Sequence, residues 1–127
     1  IREFMAALQL LLEGKDLEHR REELKKLYEQ YIGPYELYHN ATIDVAMRAL
    51  ASYDEGQRLE RMEMLAELYY AEADTVTGPD RNFLLDKAFN LFAFIERNGK
   101  TFSMDRRFKM ALIEQRLKKC SGKTRCE

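Results

Sequence analysis

Residues 59–73, LERMEMLAELYYAEA, leave a folded chain little freedom. Wound at about 3.6 residues per turn, Glu60, Glu63, Glu67 and, one residue further on, Asp74 fall in one narrow stripe. Leu59, Met62, Met64, Leu65, Ala66, Leu68, Tyr69, Tyr70 and Ala73 fill most of the remaining circumference. A helix with so thin a polar stripe needs neighbours on at least two sides. It is therefore expected at the centre of an all-α domain, with the acidic stripe as its one wetted line.

The flanking sequence supplies those neighbours. Ile1–Leu12 carries Phe4, Met5, Leu8, Leu11 and Leu12 at helical spacing, and Gly14 stops it. That piece either packs on later helices or continues an upstream one. Asp16 reads as the N-cap of Leu17–Ile32, with Leu17, Leu24, Leu27, Tyr28 and Tyr31 on one face. Gly33-Pro34 ends that helix and opens Tyr35–Tyr53, where Ala41, Ala46, Ala49 and Ala51 point to close helix approach. Thr75–Asp80 reads as a turn before Phe83–Arg97, and Asn98-Gly99 as a left-handed C-cap. Ser103 caps a last helix, Met104 to about Lys119, with Phe108, Ala111, Leu112 and Leu117 inward. The expectation is six helices in antiparallel hairpins over residues 1–119, followed by a polar tail at 120–127. With 2 Pro and 6 Gly in 127 residues there are few further breaks. No apolar run reaches the roughly 18–20 residues that cross a membrane.

Two of these hairpins share a spacing. Leu24, Leu27, Tyr28 and Tyr31 recur as Met62, Leu65, Ala66 and Tyr69, and Ala46, Leu50 and Tyr53 recur as Ala88, Phe92 and Ile95. The pattern resembles the tetratricopeptide repeat. Met62, Leu65, Ala66 and Tyr69 take its large, Leu, small and Tyr positions, and Ala88, Phe92 and Ile95 take those of its second helix. The resemblance covers about residues 24–100. It departs from the family in a longer segment between Tyr69 and Ala88, in Lys100 where a Pro would close the repeat, and in Tyr28 at a small position. It implies an array of hairpins whose groove holds a peptide or a helix.

Charge is unevenly spread. The net charge is −1, but residues 100–127 hold nine Lys and Arg against Asp105, Glu114 and Glu127, so that segment is +6 and the rest −7. A basic last helix lying against an acidic body accounts for this and suits its own C-terminal dipole. The second reading is a basic strip for nucleic acid or an acidic partner, with Arg106, Arg107, Lys109 and Arg116 in contact.

Catalytic and metal chemistry find little support. Asp16–His19 and Glu36–His39 have the acid-to-His spacing of di-iron bundles, and Glu60, Glu63 and Glu67 could complete such a set. Both motifs, however, sit in first turns where acids are expected. Cys120 and Cys126 have no His nearby, so they suit a small loop disulfide or free thiols rather than zinc. Gly99-Lys100-Thr101 and Gly122-Lys123-Thr124 lack the glycine five residues before, where Phe94 and Leu117 stand, so neither cradles phosphate. Asn40-Ala41-Thr42 spells a glycosylation sequon inside an expected helix. No nucleophile has a base beside it, so a non-enzyme without cofactor or metal is expected. The four tyrosines around Gly33-Pro34, Tyr28, Tyr31, Tyr35 and Tyr38, are the other candidate partner surface. The sequence thus reads as an interaction module for a protein, a peptide or a second copy of itself, with nucleic acid the alternative partner. Its likeness to small helical bacterial proteins sets a cytoplasmic expectation.

Overall fold

A computed structural model describes residues 1–121, with side chains up to Lys119. Helix makes up 81% of it, and there is no strand among the described residues. The order is α1 (Arg2–Leu12), α2 (Leu17–Tyr31), α3 (Tyr35–Asn40), α4 (Ile43–Leu50), α5 (Glu55–Ala73), α6 (Gly78–Asn98) and α7 (Met104–Ser121).

Local chemistry sets most boundaries as expected. The Asp16 carboxylate accepts from the Glu18 and His19 amides at 3.0 and 3.5 Å, starting α2. The Ser103 hydroxyl accepts from the Arg106 amide at 3.1 Å, starting α7. At Gly33 an added Cβ would lie 2.8 Å from the Tyr38 ring, so the α2–α3 corner closes only around glycine.

Three boundaries differ. The expected single helix over 35–53 is two, because Ala41 is extended (ψ 144°) and the Thr42 hydroxyl caps a new helix at the Val45 amide. The described residues thus hold seven helices rather than six. The Asn40 sequon consequently falls at a helix break, not inside a helix. Helix α6 begins at Gly78, with Pro79 in its first turn, where Pro needs no amide partner. Gly99 is extended (φ −84°, ψ 163°) rather than left-handed. Its role is close approach, since a Cβ there would come within 2.8 Å of the Ile95 carbonyl.

Helix α5 is the centre of the core. Met62, Met64, Leu65, Ala66, Leu68 and Tyr69 are at most 2% exposed. Helix α6 returns along it after the Asp74–Thr77 turn, and α1, α2 and α4 close the other sides. Helices α2 and α5 run in opposite senses. Arg21, early in α2, donates to the Thr75 carbonyl just past the end of α5, while Arg61, early in α5, donates to the Tyr31 carbonyl at the end of α2. The shared spacing of Leu24–Tyr31 and Met62–Tyr69 therefore sits on helices packed head to tail.

Candidate functional site

Helix α7 lies across the acidic stripe of α5. Arg106 Nη1 meets Glu63 Oε2 at 3.2 Å, Lys109 Nζ meets Glu67 Oε1 at 2.7 Å, and Arg116 Nη2 meets Asp74 Oδ1 at 3.2 Å. The pairs advance together along both chains, so the two helices are parallel. Arg106 is 2% exposed, and its guanidinium also bonds Glu96 on α6 and the Thr101 carbonyl. Burial pushes the Glu67 carboxyl above its ordinary range while Lys109 pulls it back. Burial opposes the Lys109 charge, but the Glu67 and Asp105 carboxylates outweigh it and raise the ammonium.

This corrects two expectations. Among the acidic residues of α5 that were to be wetted, Glu67 is buried and Glu63 partly covered; only Glu60 and Asp74 remain half open. Among the basic contact residues, Arg106, Lys109 and Arg116 are turned onto the body of the protein. Arg107 alone of the four points out, 60% exposed, with its guanidinium carbon 4.7 Å from the Phe102 ring centre and Glu96 alongside at 3.6 Å.

The same rotation overturns half of the expected inner face of α7: Leu117 packs inward as expected and Leu112 is half-buried, but Phe108 and Ala111 are not inward. Ile113, seven residues on from Arg106, is fully buried, with Met110 and Leu117 packed against the core. Phe108 is 63% exposed, Met104 71% and Phe102 64%, and Ala111 is exposed with them. Turning Phe108 inward would carry Arg106 and Lys109 away from Glu63 and Glu67. The acidic stripe therefore decides which face of α7 is buried.

The tyrosines form a polar knot rather than an open platform. Tyr28 and Tyr38 are buried, and Tyr31 packs edge-on against Phe4 with ring centres 5.2 Å apart. The Tyr28 hydroxyl donates to Glu72 Oε1 at 2.6 Å and the half-buried Tyr35 hydroxyl to Glu72 Oε2 at 2.5 Å. His39 Nδ1 lies 2.8 Å from the same oxygen, which places the proton on that nitrogen if the carboxylate is to accept it. Beneath, the Tyr69 hydroxyl donates to the Tyr38 carbonyl at 2.5 Å. Lys87 Nζ sits 4.2 Å from the Tyr69 ring centre and the same distance from that of Phe83, and donates to the carbonyls of Tyr38, His39 and Ala41. Those are the orphan carbonyls where α3 ends.

Every N–H of the Lys87 ammonium and the hydroxyl protons of Tyr28, Tyr35 and Tyr69 are thus spent inside the fold. The knot holds α3 to α5 and α6, and of its polar members the half-buried Tyr35 and His39 keep contact with water. His19, on the first turn of α2, is not part of it. No group of three or more His, Cys, Asp or Glu among the described residues could hold a metal ion. The side chains of Cys120 and Cys126 lie outside the described residues, as does Gly122-Lys123-Thr124. No described helix is long and apolar enough to cross a membrane.

Sequence reasoning missed Glu72 and Lys87, which look like ordinary surface charges on helices. It also missed the outward apolar face of α7. No protein-family model matches the sequence, and comparison with curated proteins and with solved structures finds no match.

Proposed function

We propose that this chain is a non-enzymatic helical interaction module, and that its docking face is the outer side of α7. The observation that carries this is the exposure of Phe102, Met104 and Phe108 within one seven-residue stretch, each more than 60% open to water. Large apolar side chains gathered this closely on a surface mark association sites more often than isolated ones do. Arg107 lies among them, and Arg is enriched at protein contacts.

The nucleic-acid alternative retains Lys100, Arg107, Lys118 and Lys119 on the outside. Most of the basic residues that suggested it are engaged with Glu63, Glu67, Glu96 and Asp74. A protein partner that covers Phe108 is the better match to this surface.

A photoreactive phenylalanine at position 108, irradiated in cells making the protein, tests the reading. Protein adducts from position 108 and none from Glu18 on α2 are expected. Absence of any protein adduct at 108, or adducts with nucleic acid alone, would defeat it.

A further inference from the structure

The outer face of α7 carries more than exposed apolar groups; its charges are arranged for one particular occupant. Met104, Phe108, Ala111 and Gln115 are spaced alternately four and three apart, the seam of a two-helix coiled coil. Arg107 and Glu114 flank the seam on one side, and Asp105, Leu112 and Lys119 on the other. All of these except the half-buried Leu112 are exposed.

A two-fold axis across such a seam pairs each flank with itself in reverse. Place Phe108 over the partner's Ala111 and Met104 over the partner's Gln115. The same register then sets Arg107 beside the partner's Glu114 on one flank and Asp105 beside the partner's Leu112 on the other. The Arg107–Glu114 flank comes out oppositely charged, and the bulky Phe108 faces the small Ala111. A parallel pairing would set Arg107 beside the partner's Leu112 and Glu114 beside the partner's Lys119, but would place Phe108 against Phe108 and give up its fit over Ala111. We infer that α7 pairs antiparallel with α7 of a second copy of this chain, through Phe108 and the Arg107–Glu114 charge exchange. This rests on the α7 face being a docking face and names its occupant.

The inner face of α7 is already committed to α5 and α6 through Arg106, Lys109 and Ile113, so pairing requires no rearrangement of the fold.

Sedimentation equilibrium of the purified chain, from micromolar to millimolar concentration, is the test. A concentration-dependent dimer is expected. Phe108→Asp should abolish it, and Arg107→Glu should raise Kd by at least about tenfold, because like charges then face each other. The double variant Arg107→Glu with Glu114→Arg exchanges the two signs and should restore association to within about threefold of the starting Kd. Far-ultraviolet dichroism of each variant establishes that the helices persist. A monomer at every concentration, a dimer indifferent to Phe108→Asp, or a charge exchange that restores nothing would each overturn the pairing. A monomer that still gives adducts with another protein from position 108 overturns the self-pairing alone, whereas a monomer with no adducts removes the docking face as well.

Discussion

The Arg106 guanidinium, almost wholly shielded from water, bonds Glu63 on α5 at 3.2 Å and Glu96 on α6 at 3.1 Å, joining three helices through one side chain. The bridge fixes the rotation of α7 and hence which of its faces is open. Removing one partner of a buried ion pair leaves the other charge uncompensated, typically at about 3–5 kcal/mol. Glu63 and Glu96 retain some contact with water, at 28% and 17% exposure, so the cost should be smaller. Arg106→Ala is expected to lose roughly 2–4 kcal/mol in urea unfolding. Arg107→Ala, one position away and mostly exposed, should stay within about 0.5 kcal/mol when measured on the monomer. Equal losses for the two would contradict the inward placement of Arg106.

The polar knot gives stability a two-sided dependence on pH. Burial, followed by the nearby Glu72 carboxylate, raises the Tyr28 phenol well above its ordinary 10.0. Tyr35 and Tyr69 are raised for the same reasons. The folded chain therefore holds these protons after the unfolded chain has lost them. Their stabilisation is complete below pH 10.0 and fades as pH rises beyond it. Lys87 acts oppositely: burial pushes its ammonium down from 10.5 to about 8, so the unfolded chain binds more protons between those values and stability rises through them. Urea midpoints should climb above pH about 8 and turn down above 10.0. Lys87→Met should erase the climb, and Tyr28→Phe should shallow the descent. A midpoint flat across the whole range would show that the knot is not buried.

Leu65, in the middle of α5, has no exposed surface. Leu65→Ala removes buried methyl groups and leaves a cavity that the surrounding helices fill only in part. A loss of roughly 2–5 kcal/mol is expected. Chemical denaturation showing less than about 1 kcal/mol would mean that α5 is not the centre of the core.

Helix positions were legible because their signals are local. The apolar circumference of α5, the Asp16 and Ser103 caps and the Gly33-Pro34 stop act over a few residues and could be read directly. The face α7 buries could not. Phe108 and Ile113 are both apolar, and the choice between them depends on Glu63 and Glu67, more than 40 residues earlier in the chain. Glu72 and Lys87 were invisible for the same reason. Their burial depends on Tyr28, 44 residues from Glu72, and on backbone carbonyls 46 to 49 residues from Lys87. Alternation along a helix carries no trace of such distant partners. The α3–α4 break was legible in principle, since Thr42 is a good cap, but the alanine-rich run around it reads as continuous helix.

Two glycines should respond to the same substitution with opposite sign. Gly56 lies in the first turn of α5, where an added Cβ would meet nothing within 4 Å. Alanine there reduces the freedom of the unfolded chain and favours helix, so Gly56→Ala should add about 0.4–1 kcal/mol. Gly99 closes α6 in an extended conformation that alanine could adopt, but its Cβ would lie 2.8 Å from the Ile95 carbonyl. That oxygen belongs to the backbone and already accepts the Gly99 amide at 2.7 Å, so it cannot move aside without opening the end of the helix. Gly99→Ala should therefore lower stability, by about 1–3 kcal/mol on the scale of other overpacked sites. Thermal melts of the two variants beside the parent should bracket it. If both moved the same way, the close approach at the α6–α7 corner would be wrong, and with it the path that delivers Ser103 and Arg106 to their partners.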